Sequence, residues 1–544
     1  MKKEATLSMW SPLKNKAYAV LFVATVISNI GTWMHEVGAS WKMTQMTQDP
    51  TMVALIQTAV SLPIFFFALP AGAIADLFNR KSLLLTINVI ALMLAGALAI
   101  LMQLDSVTPY VLLLCTFLLG VCAAFIAPAW QAIVPGLVPK NALSSAVSLN
   151  GVGINISRAI GPALAGVLIV SFGIQSPFWV NCLSFIVIIL ALYWWKPTDQ
   201  PQSGLPKEHI LPAMISGLKY AKHSAPLKAT LIRAGAFFIA ASAFWSLLPI
   251  IVSKGLNAQA NIFGIATGLV GVGALFGALL LPKLKAKFHP SKLLFVASVT
   301  DALLFTLLAL TFNVWVLFVI CFAFGSMWII ALANLNVSAQ TSLPNWVRAR
   351  GLAIFLTVFF GTMSIGSILW GNIASLFTLQ TTLYTASAVL VIGSLITVKF
   401  KLNLGSERDL EPALHWPTPT TDEALLDKDI AQDLAPVLIT IEYTVEQKNW
   451  PSFVDAIQVL GEARKRNGAY QWGVMQDTAE PRQFTEYFFE HSWLQHLHHH
   501  ERTSGDDKKH QQFVNEFHCG DLPPKVKHLV GAKRSVIHAN VSSV

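Results

Sequence analysis

Apolar runs long enough to cross a lipid bilayer recur along the chain until about residue 400 and then stop. A helix needs about 20 such residues to traverse ~30 Å of hydrocarbon. The windows that qualify predict spans near 17–40, 51–75, 82–104, 109–130, 143–172, 177–195, 232–253, 262–282, 292–311, 313–336, 351–376 and 381–399. Breaks inside 82–130 and 292–336 are so short that only helical hairpins fit. The first run is too long for a signal peptide and lacks a small-residue cleavage site, so none is expected. The longest polar gap, Lys196 to Lys228, parts the spans into two sets of six.

After Leu402 the pattern changes. Leu402 to Ala435, with Pro412, Pro417, Pro419 and many acids, reads as a linker. "PVLITIEYTV" alternates as a strand, Trp450 to Asn467 has helical spacing, and "AYQWGVMQD" and "RQFTEYFFEHS" read as two more strands. Ser492 to Phe517 reads as a second helix and Val526 to Val530 as a last strand. This β-α-β-β-α-β order predicts a ferredoxin-like domain. The expected class is therefore an all-α membrane protein of twelve transmembrane helices in two six-helix halves, followed by a small ferredoxin-like α+β cytoplasmic domain. Its divisions are 1–195, the inter-half linker 196–231, 232–401, the linker 402–435, the domain 436–531 and a tail 532–544.

Composition agrees: hydrophobic residues are 54% and charged residues 12%, against about 25% charged in soluble domains. Lysine and arginine set the orientation, because basic flanks stay cytoplasmic. Alternate loops carry Arg80 and Lys81; Lys140; Lys196, Lys207, Lys219, Lys222 and Lys228; Lys283, Lys285, Lys287 and Lys292; and Arg348 and Arg350. The intervening loops offer Lys42, Lys254 and little else, so both termini are expected in the cytoplasm. The net charge of +9 follows from this topology and needs no nucleic acid. Cys115, Cys122, Cys182, Cys321 and Cys519 show no CxxC and no ligand spacing, and read as packing residues.

Gln131 to Pro135 matches Gln340 to Pro344 at the ends of the fourth and tenth spans, where a duplicated six-span unit would place them. Parallel halves with substrate between them are a transporter plan. In "GAIADLFNRK", Gly72, Ile74, Ala75, Asp76, Arg80 and Lys81 resemble the loop between spans two and three of the major facilitator superfamily. Leu77 stands where that pattern has a base and Asn79 where it has glycine; asparagine tolerates a left-handed backbone, so the turn is expected to survive. The resemblance implies a latch on the cytoplasmic side, with Arg348 and Arg350 in reach of Asp76. Solvated loop charge is the alternative for Asp76, Arg80 and Lys81, with more weight for the two bases than for the acid.

Span five gathers Asn150, Gly151, Gly153, Asn155, Arg158, Gly161, Pro162 and Gly166. A guanidinium at mid-span costs ~2.5–3.5 kcal/mol, so Arg158 should face protein, water or the rim. "RAIGPALAG" resembles the Gly-Pro motif of exporters in the superfamily. Together with "SLPNWVRARGLAIFLTVFFGTMSIGSILWG" it is similar to the transmembrane secretion effectors, the subfamily of the enterobactin exporter. Coupling to protons needs groups that titrate inside the bundle, and the candidates are His35, Glu36 and Asp301.

The tail is similar to dimeric α/β-barrel domains of the antibiotic-biosynthesis monooxygenase type. His491, His496, His498, His499 and His500 invite a metal reading, but no HExxH carboxylate joins them, and they read as the surface of an amphipathic helix. No nucleophile pair, phosphate loop or Walker motif is found, so no enzyme, cofactor or metal is expected. Regulation or dimerisation is the tail's expected role. The chain reads as a bacterial inner-membrane secondary transporter, a proton-driven exporter of a drug-like compound or siderophore. A lysophospholipid flippase, or a membrane scaffold for a catalytic tail, stands as the alternative.

Overall fold

The structure, a computed structural model, describes residues 10–139, 142–196, 210–344, 346–402, 436–493, 495–496, 499 and 503–531. Twelve of its helices are long and apolar enough to cross a membrane. In the first half these are α1 (Lys16–Met46), α2 (Pro50–Leu77), α3 (Arg80–Gln103), α4 (Pro109–Leu137), α5 (Leu143–Phe172) and α6 (Ser176–Trp194). A shorter helix, α7 (Ile210–His223), follows in the segment read as polar linker. The second half comprises α8 (Ala225–Ile250), which runs into a π turn at Ile251–Gly255, then α9 (Ala260–Lys285), α10 (Pro290–Leu310), α11 (Val314–Thr341), α12 (Arg348–Leu376) and α13 (Leu379–Thr397).

Several spans start where a polar side chain takes up orphan amides. Asn15 accepts from the amides of Ala17 and Tyr18, Asp49 from Thr51 and Thr108 from Val111, with Pro50 and Pro109 at the first helical positions. Asn79 does the same for α3, accepting from the amides of Lys81 and Ser82 at 3.1 Å. Its φ of −61° and ψ of 115° are those of a cap, so the left-handed turn expected there is replaced by an N-cap.

By backbone proximity the chain forms two compact units. One comprises Met1–Ser203, Leu231–Asn336 and Phe355–Leu402; the other comprises Gly204–Thr230, Val337–Ile354 and Asn403–Val544. The first unit holds most of the span bundle. Within it, α1 packs on α5 and α6, α2 on α4, α3 on α4 and α6, α5 on α9, and α10 on α13.

The second unit contains a four-stranded antiparallel sheet in the order β2-β3-β1-β4, from β1 (Val437–Thr444), β2 (Gln471–Gln476), β3 (Gln483–Glu490) and β4 (Lys525–Val530). α14 (Trp450–Asn467) crosses from β1 to β2, and α15 (Gly505–Asn515) lies between β3 and β4. The expected second helix at 492–517 is interrupted: Trp493, Gln495, His496 and His499 are helical, and Ser504 and Asp507 then form a capping box that starts α15 at Gly505. Alternate residues of β1, Val437, Ile439, Ile441 and Tyr443, join Phe453, Ile457, Phe484 and Phe488 in the core. A polar set is enclosed there too: buried Arg464 donates from Nε to Glu486 Oε1 at 3.1 Å, and Trp472 Nε1 donates to the same oxygen at 2.9 Å.

α7 packs on α14. His223 Nδ1 donates to Glu462 Oε2 at 2.8 Å, Lys219 Nζ donates to His491 Nε2 at 3.2 Å, and the Tyr220 hydroxyl donates to the carbonyl of Ser342 at 3.0 Å. From Ile210 on, the described part of the inter-half segment is thus bound on two sides within its unit.

Cutting one side of a buried ion pair leaves a charge without its partner, at about 3–5 kcal/mol. Arg464→Met should therefore unfold the sheet domain at lower temperature than wild type, read as early loss of amide protection in β1 and β3 by hydrogen exchange.

Candidate functional site

Where α5 meets α9, side chains nearly vanish. A Cβ on Gly166 would lie 2.9 Å from the carbonyl oxygen of Ala260, one on Gly264 would lie 2.6 Å from that of Pro162, and one on Gly271 would lie 2.6 Å from the Cα of Ala159. The backbones of the two halves are therefore in direct contact from the far ends of the spans to mid-span. The second seam, α2 on α12, has the same extent. Gly371 abuts Thr51 and Ala54, Ser61 and Ser364 share a 2.8 Å hydrogen bond, and Gly361 abuts Phe65. Gly366 instead faces Ile239 and Ser242 of α8, so the glycines spaced by five serve two different neighbours. At the far end, Trp41 stacks on Phe263 at 5.8 Å, and Lys254 Nζ donates to the carbonyl of Gln48. Toward the end of the bundle where α1 begins, Gly72 and Gly151 face open space. The two halves are thus in contact from the far end to mid-span.

Near mid-span, α1 and α5 bring Glu36 and Arg158 together. Both are half-buried, and their charges act on each other. The Arg158 guanidinium lies 5.2 Å from the ring centroid of Trp33, an arrangement that stabilises a cation out of bulk water. Gly161 makes this possible: a Cβ there would lie 2.7 Å from that of Trp33. Arg158 thus faces a carboxylate and an aromatic ring, satisfying the demand that a charged span residue be compensated.

The other candidates are placed apart. His35 turns into the first half, where Nε2 lies 3.4 Å from the Thr116 hydroxyl and the ring meets the edge of Phe178. Asp301 on α10 is fully buried, and neither carboxylate oxygen has a hydrogen-bond partner among the described residues. Arg80 donates to the carbonyl of Ala132 at 2.8 Å, and Lys81 donates to the carbonyls of Tyr193 and Trp195. Arg348 donates to the carbonyl of Leu343 at 3.5 Å, and the Arg350 side chain covers Gly217. Asp76 closes the last turn of α2, but its side chain lies outside the described residues.

Two histidines of the tail, His496 and His499, depart from their surface reading, whereas His491 is exposed as expected. His496 and His499 are buried and donate from Nδ1 to the two oxygens of buried Glu490, His496 at 2.9 Å. Burial would raise the Glu490 carboxyl, but the charge and hydrogen bonds of the two histidines outweigh it and hold it at about 2. The missing signal was the partner: Glu490 ends β3, outside the histidine-rich stretch. His498 and His500 lie outside the described residues. His491 packs on Tyr470, and burial, then the charge of Lys219, lowers its pKa. Cys519 is exposed, not packed as expected, and its thiol lies 3.3 Å from the carbonyl of Thr444.

A family model described as transmembrane secretion effector matches residues 7–536, which takes in the sheet domain. The staphyloferrin A transporter of Staphylococcus aureus is 25% identical over 65% of this chain and 89% of its own. The enterobactin exporter EntS of Escherichia coli O1:K1 / APEC is 26% identical over 73% of this chain and 95% of its own. Among solved structures, the nucleoside transporter NupG (D323A mutant) superposes with a TM-score of 0.59 at 12% identity, covering 71% of this chain and 99% of that one. A bacterial homologue of the lysosomal transporter Spinster, inward-facing and unoccupied, superposes at 0.52 with 12% identity, covering 72% and 95%.

Two outcomes follow from this geometry. Gly264→Leu forces α5 and α9 apart at an overpacking cost of about 1–3 kcal/mol; a cysteine placed at Ala163 should then react with a membrane-impermeant maleimide from the far side at least ~10-fold faster than in the Gly264 parent. In the tail, the Glu490 pKa of about 2 lies below the ordinary 4.5, so its contribution to stability is complete above pH 4.5 and is lost as pH falls from there toward 2. Glu490→Gln should flatten that acid limb, measured as β3 amide protection between pH 6 and about 3.

Proposed function

The chain belongs to the transmembrane secretion effector family, and from that premise we propose that it is a proton-coupled secondary exporter of a small organic molecule of the siderophore type, working by alternating access. Membership makes it a multi-pass membrane transporter of the major facilitator type, not an enzyme. The observation that carries the mechanism is the pair of seams, closed from the far end to mid-span, with the Glu36–Arg158 pair at their inner limit. On the orientation that the basic loops favour, the sealed end would face away from the cytoplasm. This is then the state that loads substrate from inside the cell. The two siderophore-transporting relatives support that substrate class.

Rocking the halves would open the glycine seams and bring the opposite ends together. In that state Gly72, Asp76, Arg80, Lys81, Arg348 and Arg350 form the proposed cytoplasmic latch, with Asp76 near a helix terminus or an arginine. Arg158, Gly161, Pro162 and Gly166 form the moving contact of span five. Protonation of Glu36 would weaken its hold on Arg158, so the charge at the inner limit of the seams would change with the proton gradient. His35 and Asp301 are secondary coupling candidates, and Asp301 is the more costly to ionise in place.

The tail is read as a ferredoxin-like regulatory domain. Its β2-β3-β1-β4 order supports the fold, and the bonds of α7 to Glu462, His491 and Ser342 support a regulatory link. Dimerisation would use the sheet face opposite α14, where Leu438 pairs with Phe489 and Thr440 with Tyr487.

The test is uptake of a labelled siderophore into inverted membrane vesicles under an imposed proton gradient. Asp76→Asn is expected to abolish gradient-driven uptake, with the protein still folded and in the membrane. Glu36→Gln is expected to keep substrate binding within about threefold while uptake no longer responds to the gradient. Uptake by Glu36→Gln that still follows the gradient would move the coupling role to Asp301.

A further inference from the structure

We propose that the groove between α1 and α6 is a binding site for one anionic phospholipid, with an acyl chain along the groove and the phosphate on a basic cluster at its end. The groove lies in the first half, open along its length, with a volume of about 550 Å³. Its floor is Ala19, Ala24 and Ala191, and its walls are Val23, Leu190 and Trp194. Methyl side chains on the floor leave the depression, while exposed Val23 and Leu190 rise beside it. The whole lining is aliphatic or aromatic, so the part of a ligand that fills it is a hydrocarbon chain.

Charge decides which lipid. At the end of the groove near the start of α1, Lys16 Nζ lies 5.8 Å from the centre of the Trp194 ring. Lys14 and Lys196 are exposed beside it in sequence, and Lys81 binds the carbonyls of Tyr193 and Trp195 at the close of α6. That last contact neutralises the negative end of the α6 dipole, which would otherwise repel a phosphate. No acidic residue occurs in 10–24, 80–103 or 176–196, the three stretches that meet here. A zwitterionic headgroup gains less from such a cluster than an anionic one, and basic sites between spans at the cytoplasmic surface select anionic lipids. The Trp194 ring sits where apolar wall and headgroup meet, a place indoles favour.

Native mass spectrometry of the full chain in detergent, titrated with dioleoyl phosphatidylglycerol or dioleoyl phosphatidylethanolamine, tests this. The expected result is one phosphatidylglycerol retained in preference to phosphatidylethanolamine. Lys16→Gln should weaken it about fivefold, and Lys14→Gln/Lys16→Gln/Lys196→Gln should bring it to the level of phosphatidylethanolamine. Ala19→Phe, which fills the floor, should weaken both lipids, with the melting temperature checked against wild type. Equal binding of the two lipids, or a triple variant that holds phosphatidylglycerol as wild type does, overturns the proposal. Glycerol phosphate that competes as well as phosphatidylglycerol also overturns it, since the groove would then add nothing.

Discussion

Two helix bundles that meet inside a lipid bilayer cannot be held together by the hydrophobic effect, because lipid tails solvate their faces as well as another helix does. What remains is close contact of backbone with backbone, and that requires side chains to be absent. The α5–α9 seam meets the requirement with Gly166, Gly264, Gly268 and Gly271. Such a joint is strong only while shapes match, and it exposes no unsatisfied polar group when it parts, since helical amides and carbonyls are already paired. A contact that is tight, dry and reversible suits a surface that must break and reform in each cycle. The same helix shows the contrast within one half: Cβ atoms on Gly273 and Gly325 would each sit 2.0 Å from a carbonyl oxygen, which fixes α9 on α11.

The charged groups obey a different economy of place. Glu36 and Arg158 stand in spans and compensate each other beside Trp33. Asp301 has no such partner and is sealed in the second half. The first arrangement can exchange with solvent and substrate; the second is held by packing.

The spans were readable because hydropathy over a bilayer's thickness is a coarse, additive property, and the structure extends most of them by only a few residues. Strands of the tail were readable from alternation, with β3 at 483–490 inside its expected stretch. What sequence withheld were pairings between distant elements. Asn79 was read for its own backbone tolerance, while its role is to cap the amides of Lys81 and Ser82. His496 and His499 were read as one face of a helix, while their burial depends on Glu490 of a neighbouring strand. α7 escaped notice because its amphipathic face is matched to α14, more than 220 residues later in the chain.

The α2–α3 turn carries a mechanical consequence. Arg80 and Lys81, adjacent in sequence, reach in different directions, one to α4 and the other to the close of α6. Three helices are cross-braced at a single corner, and the first half behaves there as a truss: a force applied to the turn is delivered to the whole frame. The residues that read as topological signals thus also tie α3 to α4 and to the close of α6.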